Sequence, residues 1–225
     1  MKKSHPTLPL LCLFIGISWS LSSCQPTGLH VGETIIPKVA LERAASEMGQ
    51  TYSQFGQSTL FWEMLREGWG PAWILHSQLP EESALARQQS LETALLLHRG
   101  ANFEALARKS AGLGLNEDPA DYPRAPNPHN LGGRAAAAVA ALEEGEWAGP
   151  LRTLKGWELV YLRRRFEGHR TRAGVQVVRI IHPIGSAVSQ EKAKEMWTTL
   201  PLGGSQALLD SLPASFRHGR IEQDS

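Results

Sequence analysis

The chain has 225 residues, with 23 Lys and Arg, 22 Asp and Glu and a formal net charge of +1. This near balance argues against a nucleic-acid-binding protein, because that class normally carries a basic excess. The sequence also lacks a Gly-rich phosphate loop, a zinc-type histidine pair and a nucleophile elbow, so we expect no nucleotide, no cofactor and no metal.

The first 24 residues have the layout of a cleavable secretory signal. Lys2 and Lys3 give a positive end, residues 8–19 give an apolar middle, and small residues precede Cys24. This pattern resembles a bacterial lipoprotein signal, in which residues 1–23 are removed and the cysteine carries lipid. An uncut anchor is disfavoured because the apolar stretch is shorter than the roughly 20 residues that span a bilayer. We therefore expect a chain that is lipid-anchored to the cell envelope through Cys24, facing the periplasm, on the outer membrane where one exists.

The next part of the chain is predicted to be a tether followed by a helical segment. Residues 24–37 contain glycine and proline without periodicity, which is typical of a linker. Within the helical segment 38–70, apolar spacing predicts helices over 38–48 and 58–67. The bulky apolar run 72–76 reads as a buried strand.

Apolar spacing predicts five further helices and two further long strands downstream. We expect, in order, a helix over 81–99, a helix capped by Asn102, a long loop over 112–133, a helix over 134–144, an edge strand near 145–150, strands over 157–162 and 175–181, and helices over 190–200 and 206–212.

Three groups of residues have the order and spacing of one known domain. They are Gly100, Phe103, Leu106, Ala107 and Ser110; then Asn130, Leu131 and Gly132; then Gly145, Glu146, Gly149, Pro150, Thr153, Gly156 and Trp157. Together they resemble the parvulin-type (PpiC-like) peptidyl-prolyl cis-trans isomerase domain, here over residues 71–166. The resemblance implies an α+β fold with a parvulin-like four-stranded antiparallel sheet wrapped by helices, flanked by N- and C-terminal helical segments.

The positions at which parvulins hold the proline ring differ in this chain. The family has histidines on two neighbouring strands, where this sequence has Trp73 and Glu158. The usual Asp of the G-D-L-G turn is Asn130, and the stretch with the family's Met and Phe is contracted to the alanine-rich run Ala135–Ala141. No confident catalytic residue follows from the resemblance, whose family-equivalent positions are Trp73, Asn130, Thr153 and Glu158. The residues predicted to contact a substrate are Trp73, Thr153, Trp157 and Glu158.

Plainer roles for these residues stay open. In a strand, His76 would lie on the face opposite Trp73 and be partly buried. Trp73 and Trp157 would be either core aromatics or rings that stack on proline. Glu158 should face away from Trp157, where its carboxylate would either bind a peptide or point to solvent.

Residues 167–225 are expected to form a C-terminal strand and helices. Arg179-Ile180-Ile181-His182 echoes Trp73-Ile74-Leu75-His76, so this segment is either the remnant of a second parvulin-like unit, with Arg179 where the family has histidine, or a chance match. Alternatively, residues 38–70 and 190–225 form one helical chaperone lobe.

The sequence thus predicts a membrane-tethered, extracytoplasmic protein-folding factor that binds unfolded or proline-containing polypeptides. Its parvulin-type domain is expected to be weak or inactive as an isomerase, because the working side chains are exchanged. The alternatives are an active isomerase (rotamase) with an atypical pocket, and a structural lipoprotein that binds one fixed partner.

Overall fold

The computed structural model describes residues 28–43, 65–110, 131, 133–166 and 174–221. Within these ranges the chain is α+β, with seven bounded α-helices and two three-stranded antiparallel sheets. The predicted fold class is confirmed at this level. The predicted four-stranded sheet is not seen, because each sheet described here has three strands.

The first sheet contains residues that the sequence assigned to the tether. Strands β1 (Gly28–Val31) and β2 (Thr34–Pro37) form a hairpin, and β1 also pairs with the short strand β6 (Leu202–Gly203). The linker prediction is wrong over residues 28–37, because Leu29, Val31 and Ile36 are buried. The free energy gained by burying these side chains offsets the entropy lost when the backbone is ordered. Residues 38–43, which follow, are helical as predicted.

The run predicted as a strand over 72–76 is helical. A π-helical segment (Leu65–Trp69) leads directly into α1 (Gly70–Gln78), whose second residue is Pro71. Proline fits the first turn of a helix because the N–H it lacks would have no intrahelical partner. Six of the nine residues of α1 are buried and they form an almost unbroken run, so its sequence cannot be distinguished from a buried strand by periodicity.

Helix α1 packs closely on α5 (Ala187–Thr199). The contact depends on Gly70, where a Cβ atom would overlap the indole ring of the fully buried Trp197. These helices share one apolar core with the first sheet and with α6 (Gln206–Ser211), beyond which lies α7 (Ala214–Arg217). The beginning and the end of the described chain therefore meet in a single core.

The second sheet has the order β3-β4-β5 and is covered on both faces. Its strands are β3 (Trp147–Thr153), β4 (Gly156–Phe166) and β5 (Gly174–Pro183). Helices α2 (Pro80–His98) and α3 (Phe103–Lys109) cover one face, and α4 (Gly133–Ala141) covers the other. The apolar cluster between the sheet and helices α2 and α3 contains Ala94, Leu97, Phe103, Ala107, Leu159, Val178 and Ile180. The cluster between the sheet and α4 contains Leu131, Ala135, Ala136, Val139, Leu151, Val160, Leu162, Val175 and Val177.

Most other sequence-predicted elements are confirmed to within a few residues. Helices α2 to α6 and strands β3, β4 and β5 fall where apolar spacing placed them. The Asn102 side chain caps α3 by accepting a hydrogen bond of 2.8 Å from the amide of Ala105, as predicted. The predicted helix over 58–67, most of the loop over 112–133, Asn130 and Cys24 lie wholly or largely outside the described residues.

Candidate functional site

The four predicted contact residues separate into two places. Trp73 on α1 and Trp157 at the start of β4 border a common cleft. Thr153 and Glu158 instead form a buried hydrogen bond with each other. Glu158 faces away from Trp157, as strand alternation predicts. Asn130 is not described.

Glu158 is held in a buried ion pair. Its carboxylate accepts from Arg179, with Nη2 2.6 Å from Oε2 and 2.7 Å from Oε1, and Nε 3.0 Å from Oε2. Thr153 donates its hydroxyl to Oε1 at 2.7 Å, and Nη2 also lies 3.4 Å from the carbonyl of Leu131. The Glu158 side chain is 0% exposed and that of Arg179 6% exposed. The prediction of a solvent-facing strand residue is therefore wrong for Glu158, and peptide contact by its carboxylate stays a prediction.

Three tryptophans and several arginines line an open cleft of about 390 Å³. Its aromatic residues are Trp69 from the π-helical segment, Trp73 from α1 and Trp157 from β4. The cationic residues are Arg43, Arg87, Arg134 and Arg152, and the remaining lining residues are Val39, Ala40, Leu91 and Pro150. A volume of this size lies at the lower end of the range of about 300–1,000 Å³ that is usual for ligand pockets.

The guanidinium groups stack on the tryptophan rings. Arg152 Cζ lies 3.9 Å from the Trp73 ring centroid and 5.4 Å from that of Trp157. Arg87 Cζ lies 5.7 Å from the Trp157 centroid, and Arg134 Cζ lies 5.2 Å from that of Trp69. Such stacking holds a guanidinium in place while leaving its N–H edge available for a ligand.

Burial and neighbouring cations lower the pKa of Arg152. Desolvation is the main cause, and the positive charges of Arg134 and then Arg87 add to it, so that the pKa falls from 12.5 to about 10. Arg152 remains protonated at neutral pH. The cleft thus concentrates positive charge against aromatic walls.

A hydrogen-bond network behind the cleft fixes Trp157. His76 Nε2 lies 3.0 Å from the carbonyl of Thr153 and so donates to it, which leaves Nδ1 to accept from the hydroxyl of Ser83 at 2.7 Å. Trp157 Nε1 donates to the same Ser83 oxygen at 3.3 Å, and the rings of His76 and Trp157 meet edge to face at 5.5 Å. His76 is a buried helical residue and not the partly buried strand residue that the sequence predicted.

His76 is neutral at neutral pH because it is buried. Burial is the main cause that lowers the pKa of the imidazole, and the charge of Arg152 lowers it further, while hydrogen bonds to backbone groups of Thr153 and Gly156 oppose the shift. The result is a pKa of about 4 instead of 6.5. His76 is therefore a positioning group for Trp157 at neutral pH.

Comparison with protein-family models, with curated proteins and with solved structures gives no match for this chain. Within the described residues, no cluster of His, Cys, Asp or Glu has the makeup of a metal site. None of the helices in the same ranges is long and apolar enough to cross a bilayer.

Sequence reasoning found two of the cleft tryptophans and missed its arginines. Arg87, Arg134 and Arg152 are far apart in the chain and follow no motif, so only the packing of α2, α4 and β3 brings them together. Arg179, the partner of Glu158, carried one usable signal. The echo around it placed it at a histidine position of the family, but the sequence did not pair it with β4.

Proposed function

We propose that this chain is a lipid-anchored, extracytoplasmic folding factor that binds polypeptide segments in the tryptophan–arginine cleft and has weak or absent prolyl isomerase activity. Its envelope location rests on the signal-like N-terminus and Cys24. The proposal that its clients are unfolded or proline-containing polypeptides is based on the parvulin resemblance and on the aromatic cleft.

The salt bridge between Glu158 and Arg179 carries the proposal. In parvulins, two histidines face each other on neighbouring strands. The resemblance assigned the two histidine positions to Trp73 and Glu158, and the echo in β5 gave Arg179 as a second counterpart of the first histidine. Strand β5 pairs with β4, and Arg179 forms a salt bridge with Glu158. We infer a parvulin-like unit in which β5 occupies the position of the family's first strand, the one that precedes the helices. In this unit an ion pair replaces the two histidines.

This replacement argues against catalysis. Isomerisation of an X-Pro bond requires a pocket that favours the twisted amide over a barrier of about 18–20 kcal/mol. Leu131 and the alanine-rich helix α4 cover the Glu158 side of the sheet, so a client cannot reach these side chains without unfolding that cover. The pair contributes to the integrity of the fold and supplies no group to a substrate.

The cleft on the other side of β4 suits binding. Trp73 is half-buried and offers a flat apolar surface at low conformational cost, whereas Trp157 is 7% exposed and presents only a small part of a ring that Ser83 fixes. Proline rings and apolar side chains of an unfolded segment fit such surfaces. The exposed side chain of Leu91 extends the apolar border of the cleft.

Two assays on the purified full-length chain in detergent test the proposal. We expect suppression of client aggregation, lost in Trp73→Ala and kept in Trp147→Ala, because Trp147 does not line the cleft. We also expect no more than a few-fold acceleration of isomerisation of a proline tetrapeptide. Strong acceleration, or aggregation that is unaffected by the chain, would contradict the proposed function.

A further inference from the structure

Among the described residues, the cleft gathers positive charge without a carboxylate that would neutralise it. Four arginines line it, and its described lining contains no Asp or Glu. Arg43 and Arg134 have other interactions. Arg87 and Arg152 are different, because within the described ranges their contacts are the cation–π contacts with Trp73 and Trp157, and neither makes a salt bridge.

Two arginines of the second sheet are, by contrast, paired with carboxylates. Arg163 bonds Glu104 with Nε 2.8 Å from Oε1, and Arg179 bonds Glu158. Arg152 is half-buried, so its charge is desolvated as well as close to other cations. Like charges at a partly desolvated site repel each other, and an anion that enters the cleft would relieve this repulsion.

The geometry points to a carboxylate as the group that this cleft recognises. We propose that Arg87 and Arg152 bind a carboxylate of a client polypeptide, either an Asp or Glu side chain or the chain's C-terminus, while a neighbouring proline or apolar side chain packs against the exposed part of Trp73. This assignment rests on the proposed function and adds the chemical class of client. Guanidinium is suited to it because its planar N–H fork matches a carboxylate in two parallel hydrogen bonds.

The size of the cleft favours a small group of the client over a large surface. Its volume of about 390 Å³ has room for a carboxylate and an adjoining ring but not for a folded partner. Because Arg87 is exposed and Arg152 is half-buried, the anion would enter from the α2 side and end beside the Arg152 guanidinium. Clients with an acidic residue beside a proline or an aliphatic residue should therefore be preferred.

Calorimetric titration of the full-length chain in detergent tests this inference with three matched peptides. The first is a blocked proline-containing peptide with Glu residues, the second has Gln in their place, and the third is the Gln peptide with a free C-terminal carboxylate. We expect the Glu peptide to bind about tenfold more tightly than the Gln peptide, as for a charge-assisted hydrogen bond, and this preference to shrink as NaCl is raised. The third peptide shows whether a chain terminus also supplies the carboxylate.

Arg87→Gln and Arg152→Gln should each remove most of the preference. Arg87 is exposed, so its variant should fold normally, and the exposed Arg99→Gln is a matched control that should keep the preference. Equal binding of the Gln peptide and both carboxylate peptides would overturn the carboxylate assignment and leave the proposed function intact. A preference that survives both variants would also overturn it. Failure of all three peptides to bind would contradict the proposed function itself.

Discussion

Arg179 and Glu158 are diagonal neighbours on paired strands. Arg179 is in register with Val160 on β4, and Glu158 is in register with Ile181 on β5, so the two side chains reach each other across one step of the ladder. The guanidinium bonds both carboxylate oxygens, and almost no part of either side chain is exposed. The interior of this sheet therefore contains a fully enclosed ion pair whose partners depend on each other.

Removal of one partner should be strongly destabilising. Glu158→Ala leaves the buried Arg179 charge unpaired, and we expect the free energy of unfolding to fall by about 3–5 kcal/mol. Arg179→Met should lower the free energy of unfolding by a similar amount, because it leaves the buried Glu158 carboxylate without its cationic partner. Chemical denaturation followed by tryptophan fluorescence measures both effects.

The double variant separates pairing from packing. Glu158→Leu combined with Arg179→Met replaces both charges by apolar groups, and such replacements are often neutral or stabilising. We expect the double variant to be clearly more stable than either single variant. Additive losses in the double variant would show that the two side chains are not coupled.

The neutral His76 makes stability depend on pH. Its pKa is about 4 in the folded chain and 6.5 when unfolded, so between these values the unfolded state binds the proton first. The free energy of unfolding should therefore fall as the pH drops from 6.5 towards 4, by about 2 kcal/mol between pH 7 and pH 5. Thermal melts at the two pH values provide the measurement.

His76→Gln provides the control for this pH effect. The variant loses the titrating imidazole and keeps every other ionisable group, including the buried His182, whose pKa is also lowered, mainly by burial. The difference in stability between pH 7 and pH 5 should be smaller in the variant. If both chains lose the same stability, then His76 does not account for the pH dependence.

Gly70→Ala tests the close approach of α1 and α5. A Cβ atom at this position would overlap the ring of Trp197, and overpacking of this kind costs about 1–3 kcal/mol. We therefore expect a lower Tm, even though alanine favours a helix over glycine by about 1 kcal/mol. Trp197→Leu in the Gly70→Ala background should lower the Tm by less than it does in the original chain. Equal losses in the two backgrounds would mean that the two positions do not interact.

Cys24 is predicted to determine membrane attachment. Cys24→Ala removes the sulfur that a lipid would occupy, and stable anchoring requires the buried methylenes of more than one acyl chain. In a bacterial expression host, we expect the original chain in the membrane fraction and the variant released from it or retained unprocessed. Identical fractionation of the two proteins would contradict the lipoprotein interpretation.

The sequence was most informative where local spacing determines structure. Helix α2 and strands β4 and β5 follow from alternating or helical apolar patterns, and the Asn102 cap follows from its side chain. Helix α1 could not be recognised in the same way, because a helix buried on nearly all sides has the same continuous apolar sequence as a buried strand.

The site depended on long-range pairing, which local patterns do not contain. From the sequence, Glu158 was a candidate for contact with a peptide. The register of β4 and β5 instead places Arg179 of the neighbouring strand beside its carboxylate. The cleft arginines Arg87, Arg134 and Arg152 lie on α2, α4 and β3, which only tertiary packing brings together. The sequence therefore predicted Trp73 and Trp157 of the cleft, but neither its arginines nor the pairing of Glu158 with Arg179.

Exchange NMR of a short proline-containing peptide with an acidic neighbour, titrated with the full-length chain, tests binding without isomerisation most directly. It reports contact with the chain and the rate of cis–trans exchange in one measurement. We predict broadened or shifted peptide resonances while exchange stays on the uncatalysed scale of tens to hundreds of seconds. Exchange in milliseconds, or resonances that do not change on titration, would contradict this account.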